Sequence, residues 1–347
     1  MPALPTSTTC ASASSRQAAE PEHLCHNVDD MMNHKLTVFF TFATILVWAP
    51  MARSQSAAAT PSGKANDAAE LIKQGRALSN QGKLNEALAL YQQALQQDPK
   101  SYQAEMAIGM ALDLKGQYAD ARQHFQKAIQ EAPEQAKVGP LRTMAVSYAF
   151  QNDAGEAAKY EQQAFDLQVS TQKFSDAAGT ANELARIYLE SGDVDNAYKW
   201  YQKGYETALR DPKLTAADKG LWLFRWENAQ ARIAARRGQA AEAQNHVVAA
   251  KAALDQASNP DQARFWPYLT GYVAFYASDY KAAIADLEQA DQHDPFILLL
   301  LAQAYDKSGD HPKATEYYRK VLAIYAHTPT NAFARPQAAK MVGEGGS

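Results

Sequence analysis

Cysteine is almost missing from this chain. Of its 347 residues only Cys10 and Cys25 carry a thiol, and both precede the apolar segment described below. Everything downstream is therefore without a disulfide, a soft-metal thiolate or a cysteine nucleophile, and must be stable through packing. Glycine and proline are few, at 17 and 15, whereas Ala, Gln, Leu and Lys abound, which is the composition of a mostly helical protein. Charge of one sign is also in short supply. Against 38 acidic residues stand 34 basic ones, a formal net charge of -4, too weak a field to nominate nucleic acid or an anionic membrane as a partner. There is no Gly-rich phosphate loop, no Gly-x-Ser-x-Gly elbow and no strand pattern to carry either. His124, His246, His293, His311 and His327 are scattered, never at a spacing that sets two metal ligands on one helical face. Together these absences point away from catalysis, from a cofactor and from a metal site.

A membrane-spanning run is lacking too. The apolar stretch Leu36 to Ala49 has 14 residues, against the roughly 20 that a transmembrane helix needs. It follows Met31, Met32, Asn33, His34 and Lys35 and is followed by Pro50 and the small-residue stretch Ala52 to Ala58. That basic, apolar, small order is the pattern of an export signal, with cleavage after Ser54 or after Ser56. The expected location is periplasmic or secreted; the alternative is an inner-membrane anchor by the uncleaved signal, which would then be the only membrane contact. Residues 1–30 are either a disordered extension or precede the true start near Met31. The expected organisation is thus 1–30, a signal at 31–56, a flexible linker at 57–66, a repeat domain at 67–325, and a capping helix with tail at 326–347.

What the sequence does contain is a repeat. A small residue is followed twelve positions later by alanine seven times: Gly75 and Ala87, Gly109 and Ala121, Ala145 and Ala157, Ala185 and Ala197, Ala231 and Ala243, Gly271 and Ala283, Ala302 and Ala314. Midway stand Gly82, Gly116, Asn152, Gly192, Gly238, Ser278 and Gly309, expected turns in which the left-handed conformation ends a helix. Three residues after each first small residue comes Leu78, Leu112, Tyr148, Tyr188, Ala234, Ala274 or Tyr305, one turn along the same face. Four after the second-helix alanine come Tyr91, Phe125, Tyr201, Val247, Leu287 and Tyr318. Asp98-Pro99, Ala132-Pro133 and Asp294-Pro295 close second helices. Small residues let paired helices approach, and the large neighbours fill the grooves between pairs.

The segments LIKQGRALSNQGKLNEALALYQQALQQDP and AEMAIGMALDLKGQYADARQHFQKAIQEAP resemble the tetratricopeptide repeat, with its small, aromatic, alanine and proline positions about 34 residues apart. The resemblance runs from about Ala68 to Tyr325 and is clearest in repeats one, two, four and seven. It implies an all-α fold, a right-handed α-solenoid of about seven helix-turn-helix repeats. Successive second-helix alanines are 34, 36, 40, 46, 40 and 31 residues apart, so longer helices or loops must absorb the excess, above all around Lys213 to Trp226. The segment Asn331 to Gly343 is expected to form a capping helix whose Ala334, Ala338, Ala339 and Met341 cover the last apolar face.

In that family the first helix of each pair lines the concave surface. By resemblance this places there Ile72, Arg76, Met106, Met110, Arg142, Val146, Asn182, Arg186, Asn228, Arg232, Tyr268, Tyr272, Leu299 and Gln303. Among them Arg76, Met110, Arg142, Asn182, Arg186, Asn228, Arg232, Tyr268 and Tyr272 are the candidate partner-binding residues. Arg76, Arg186 and Arg232 offer forked donors for carboxylates, and Asn182 and Asn228 stand one turn before two of them. The competing reading is that these are ordinary surface side chains whose stems cover apolar area. The two-carboxylate clamp by which some family members hold heat-shock chaperones needs Lys and Asn where this chain has Ile72 and Arg76, so that ligand is not expected. Trp222, Trp226, Trp266 and Tyr268 either form an aromatic binding spot or fill the gap left by stretched spacing. The expected function is a non-catalytic adaptor or scaffold holding a peptide or protein segment on its concave face. The alternative is a structural subunit of a cell-envelope assembly or a self-associating scaffold.

Overall fold

The computed structural model describes residues 61–257 and 264–344. The expected extension at 1–30 and export signal at 31–56 lie outside the described residues. Fifteen α-helices and no strand are found among the described residues. Fourteen of them form seven consecutive hairpins: α1 (Pro61–Asn80) with α2 (Leu84–Gln97), α3 (Tyr102–Leu114) with α4 (Tyr118–Glu131), α5 (Val138–Ala149) with α6 (Ala154–Ser170), α7 (Phe174–Ser191) with α8 (Val194–Ala208), α9 (Ala216–Arg236) with α10 (Ala240–Ala257), α11 (Trp266–Tyr276) with α12 (Tyr280–Leu287), and α13 (Pro295–Lys307) with α14 (His311–Leu322). The last helix, α15 (Pro329–Glu344), follows alone. This is the expected all-α solenoid. Helix α1 begins at Pro61, inside the stretch 57–66 read as a linker. Proline suits a first helical turn because its ring presets φ and its missing N–H would have had no intrahelical acceptor.

The hairpin turns follow from one local rule. Gly82, Gly116, Asn152, Gly192, Gly238, Ser278 and Gly309 all have positive φ, between 58° and 97°, and they are the seven positions read as turns. The next residue, from Lys83 to Asp310, donates its backbone N–H to the carbonyl five residues back, on Leu78, Leu112, Tyr148, Tyr188, Ala234, Ala274 and Tyr305. Carbonyls that the helix end would leave unpaired are satisfied in this way. In four hairpins that next residue is Asp153, Asp193, Asp279 or Asp310, and its carboxylate accepts the N–H three residues on. One residue thus ends the first helix and starts the second.

Packing inside each hairpin rests on the spaced small residues. All seven second-helix alanines are buried, as are all seven first-helix small residues. In α2 the buried residues are Leu84, Ala87, Tyr91 and Ala94, one stripe at helical spacing. Where the first-helix residue is glycine, the large side chain from the second helix lies directly on it. A Cβ at Gly75 would sit 2.3 Å from Tyr91 Cε1, one at Gly109 2.4 Å from Phe125 Cε1, and one at Gly271 2.6 Å from Leu287 Cγ. The uneven spacing is taken up mainly by helix length: α9 has 21 residues and α10 has 18, against 13 and 14 in α3 and α4. The entry to α9 is secured by a reciprocal cap in which Thr215 Oγ1 accepts from Asp218 N and Asp218 Oδ2 accepts from Thr215 N.

The C-terminal segment departs from the expected simple cap. After α14 the chain turns back so that Tyr325 lies on the Gly82 turn of the first hairpin. His327 Nε2 donates to Asp113 Oδ2 on α3 at 2.8 Å, with both side chains buried. Ser147 Oγ donates to the other Asp113 oxygen at 3.0 Å, and the His327 ring packs between Phe125 and Phe150. Asn331 Nδ2 and Arg335 Nη1 donate to the free carbonyls at and beyond the end of α14, on Leu322, Ile324 and Ala326. Helix α15 then packs on α13 and α14 but also on α5 and α7, first helices of repeats three and four. Ala334 and Ala338 are buried as expected, whereas Ala339 and Met341 are exposed. This placement explains why α13, with its run Ile297 to Leu301, is buried on every side: α14 covers one face and α15 another.

Candidate functional site

First helices α7, α9 and α11 lie side by side and present side chains one turn apart. Extended along each helix, the stripe reads Asn182, Arg186, Glu190 on α7; Asn228, Arg232, Arg236 on α9; and Tyr268, Tyr272, Tyr276 on α11. Arg232 is tied in by its own helix and its neighbour, Nε donating to Asn228 Oδ1 and Nη2 to Tyr201 OH, both at 3.0 Å. Arg186 Nη2 donates to Tyr268 OH at 3.4 Å, and its guanidinium lies over the Phe296 ring. Arg236 Nη1 donates to Glu190 Oε2 and to Tyr276 OH, both at 3.1 Å.

The electrostatics of this lattice are unbalanced. Three guanidinium groups, Arg186, Arg232 and Arg236, surround one carboxylate, Glu190. Burial pushes the Glu190 carboxyl up, and the three arginines pull it back. Burial likewise raises the Tyr268 hydroxyl to about 12 against the pull of Arg186 and Arg232. Although burial opposes the charged form of Arg232, the surrounding tyrosines and Glu190 hold its proton more firmly than usual. Arg186 Nε and Arg232 Nη1 have no hydrogen-bond acceptor in the protein, and Glu190 Oε1 has no donor.

Above the lattice is a cavity of about 530 Å³. Asn182, Arg186, Asn228, Arg232 and Tyr268 line it together with Glu183, Tyr201, Phe224 and Phe265, and Arg225 and Arg264 stand at exposed positions on its edge. Pro329 and Thr330, at the start of α15, form one wall. Five of the nine candidate residues therefore converge here. The other four lie elsewhere: Arg76 is exposed on α1, Met110 packs half-buried among apolar side chains, Arg142 pairs with Glu183, and Tyr272 is fully buried beneath Tyr268 and Tyr276. The remaining positions placed on the concave face divide by polarity. Val146 and Leu299 are buried in one cluster with Phe333 and Ala334 of α15, and Gln303 accepts α15 as a neighbour by donating to Gln337.

Glu190, Arg236, Phe224 and Arg225 were not among the expected residues. A signal for the first two existed, since each stands one turn beyond an expected arginine. The aromatic residues do not form a single spot. Trp222 packs with Ala178 and Ala208, Trp226 stacks on Tyr205, and Trp266 joins the Phe224 and Leu269 cluster, so they fill separate gaps beside the long α9. Each described histidine is paired with a carboxylate, His124 with Glu105 and His246 with Glu227 at equivalent places in repeats two and five.

Comparison with known families agrees with the hairpin geometry, as tetratricopeptide repeat models match residues 72–136, 268–329 and 180–214. Those three stretches match the tetratricopeptide repeat. Among solved structures it is similar to a tetratricopeptide repeat protein from Parabacteroides merdae, at 13% identity over 80% of this chain and 98% of that one, with a TM-score of 0.49. It is also similar to Pseudomonas aeruginosa pilF, at 15% identity over 72% of this chain and 97% of that one, with a TM-score of 0.45. A Rap protein in complex with competence and sporulation factor matches at 10% identity, over 79% of this chain and 76% of that one, with a TM-score of 0.50. At these identities the likeness is one of fold. No curated protein matches the chain.

Proposed function

We propose that the protein is a non-catalytic, exported adaptor that holds a segment of another protein on the inner face of its repeats. The observation that carries this reading is that α7, α9 and α11 keep part of the inner face open, although the chain's own tail covers the rest. The chain's own residues from Tyr325 onward lie against first helices there, anchored by His327 on Asp113 and by α15 on α5, α7 and α13. A surface that seats one polypeptide segment through buried polar anchors and apolar packing has the properties needed to seat another, and α7, α9 and α11 remain partly open beside it. Export is supported by the basic, apolar and small-residue order at 31–56.

Site-specific photo-crosslinking in the cell envelope tests the adaptor. A photoreactive residue at Asn182 or Arg225, on the open inner side, is expected to capture a defined protein that one at Lys199 or Gln202, exposed on α8, does not. Capture only from the α8 positions would overturn the assignment of the face. Export is tested by fractionation, with retention of the full-length chain in the cytoplasm as the refuting result.

A further inference from the structure

The cavity between α7, α9 and α11 has properties that a polypeptide groove does not need. It is an open pocket of about 530 Å³, within the roughly 300–1,000 Å³ of small-molecule sites. Pro329 and Thr330 of the chain's own tail close one wall, so an extended peptide cannot run on past it on that side. Its charge is one-sided: Arg186, Arg225, Arg232 and Arg264 line it, and the single lining carboxylate, Glu183, is engaged by Arg142.

Burying a cation without a partner is costly, and the cost is offset only by a counter-charge with hydrogen bonds. Below the cavity Glu190 is shared among three arginines and is committed to Arg236. Arg186 and Arg232 donate their hydrogen bonds to neutral groups, Tyr268, Tyr201 and Asn228, while Glu190 acts on both, and Asp294 on Arg186, through charge alone. An oxyanion in the cavity adds the counter-charge that two carboxylates, Glu190 and Asp294, do not supply to Arg186, Arg232 and Arg236 together with Arg225 and Arg264 at the edge. The remaining walls, Phe224, Phe265 and Tyr268, are aromatic and suit a flat or apolar stem.

We propose that this cavity binds a small organic anion, a carboxylate or phosphate monoester on an aromatic or apolar stem. The anion neutralises Arg186 and Arg232 and its stem lies against Phe224 and Tyr268. The cavity shares helices α7, α9 and α11 with the face assigned to a protein partner but does not depend on that reading, because a free small molecule fills it without one.

The test is calorimetric titration and thermal melting of the purified chain at low ionic strength with phenyl phosphate, benzoate, inorganic phosphate and, as a cationic control, benzylamine. Saturable one-to-one binding of phenyl phosphate or benzoate, with a rise of a few degrees in melting temperature at saturation, is expected, and the stronger of the two identifies the head group. Inorganic phosphate is expected to bind more weakly and benzylamine not at all. Arg225→Gln, at an exposed position, should weaken the aromatic anion about tenfold without changing the fold. Arg232→Gln should abolish the anion-dependent rise in melting temperature while retaining a helical circular dichroism spectrum. If neither aromatic anion binds saturably, if benzylamine binds as well, or if Arg225→Gln leaves the affinity unchanged, the proposal is overturned. Because no probe contains peptide, that failure would leave the crosslinking result standing, and the reverse holds as well.

Discussion

Replacing Gly109 by alanine sets helix propensity against packing. In the interior of α3 an alanine is intrinsically better than glycine by about 0.8–1.0 kcal/mol. The added Cβ would stand 2.4, 2.7 and 2.8 Å from three ring atoms of Phe125, whereas ordinary contact begins at 3.4 Å. Phe125 is fully buried, so its ring has no free volume to swing into, and α3 and α4 must separate by several tenths of an ångström to 1 Å. Overpacking of this kind costs about 1–3 kcal/mol, and the net expectation is a loss of about 1 kcal/mol, or some 2–4 °C in melting temperature for a domain of this size. Gly179 provides the matched control. It is exposed in the middle of α7 with nothing within 4 Å of its would-be Cβ, so Gly179→Ala should raise stability by the propensity term alone. Urea unfolding followed by circular dichroism at 222 nm measures both. Adding Phe125→Leu should cost less in the Gly109→Ala background than alone, a coupling of about 1 kcal/mol. If Gly109→Ala stabilises as Gly179→Ala does, the close-contact account of the hairpins is wrong.

Other positions give independent checks. Glu161 is fully buried on α6, and burial followed by the neighbouring Glu183 pushes its carboxyl well above the usual range. Its protonated form is the one the fold favours, so its contribution is complete below the unfolded value near 4.5 and is lost as pH rises through the folded value. Glu161→Gln should therefore gain stability relative to the parent as pH is raised from 5 to 7, by about 1.4 kcal/mol per unit of elevation; a pH-independent difference would contradict this. Ser278 adopts φ of 63° where most other turns have glycine, so Ser278→Gly should stabilise by about 0.5–1 kcal/mol in thermal melts, and destabilisation would refute the turn argument. His327→Ala removes a buried donor from Asp113 and should cost about 2–3 kcal/mol. The same variant should open the 323–328 segment to limited proteolysis, and an unchanged cleavage pattern would show that His327 does not hold the tail.

Much of the hairpin architecture was legible because it rests on contacts twelve to sixteen residues apart. The glycine or alanine of the first helix, the turn residue and the alanine of the second keep a period that survives even where spacing stretches to 46 residues. The site was legible only by halves. Asn182, Arg186, Asn228, Arg232 and Tyr268 could be placed on one face by the same period, but Arg76 and Arg142, equally arginine and equally on first helices, fall outside the cavity. Nothing local distinguishes them, because what separates them is which neighbours stand across the stack. The apolar character of Val146 and Leu299 was the one sequence sign that part of the inner face is covered, and it was indistinguishable from ordinary core until α15 was seen against it.

The sequence by itself determined the secondary structure, the helix pairing and the close-packed alanines, since each depends on side-chain size and backbone preference within a few helical turns. The tertiary structure decided where the tail lies and therefore which part of the inner face stays open. His327 meets Asp113 across 214 residues of chain, and Pro329 walls a cavity built from α7, α9 and α11. Such contacts depend on small rotations from one repeat to the next, added up along the stack, and no single repeat encodes their sum.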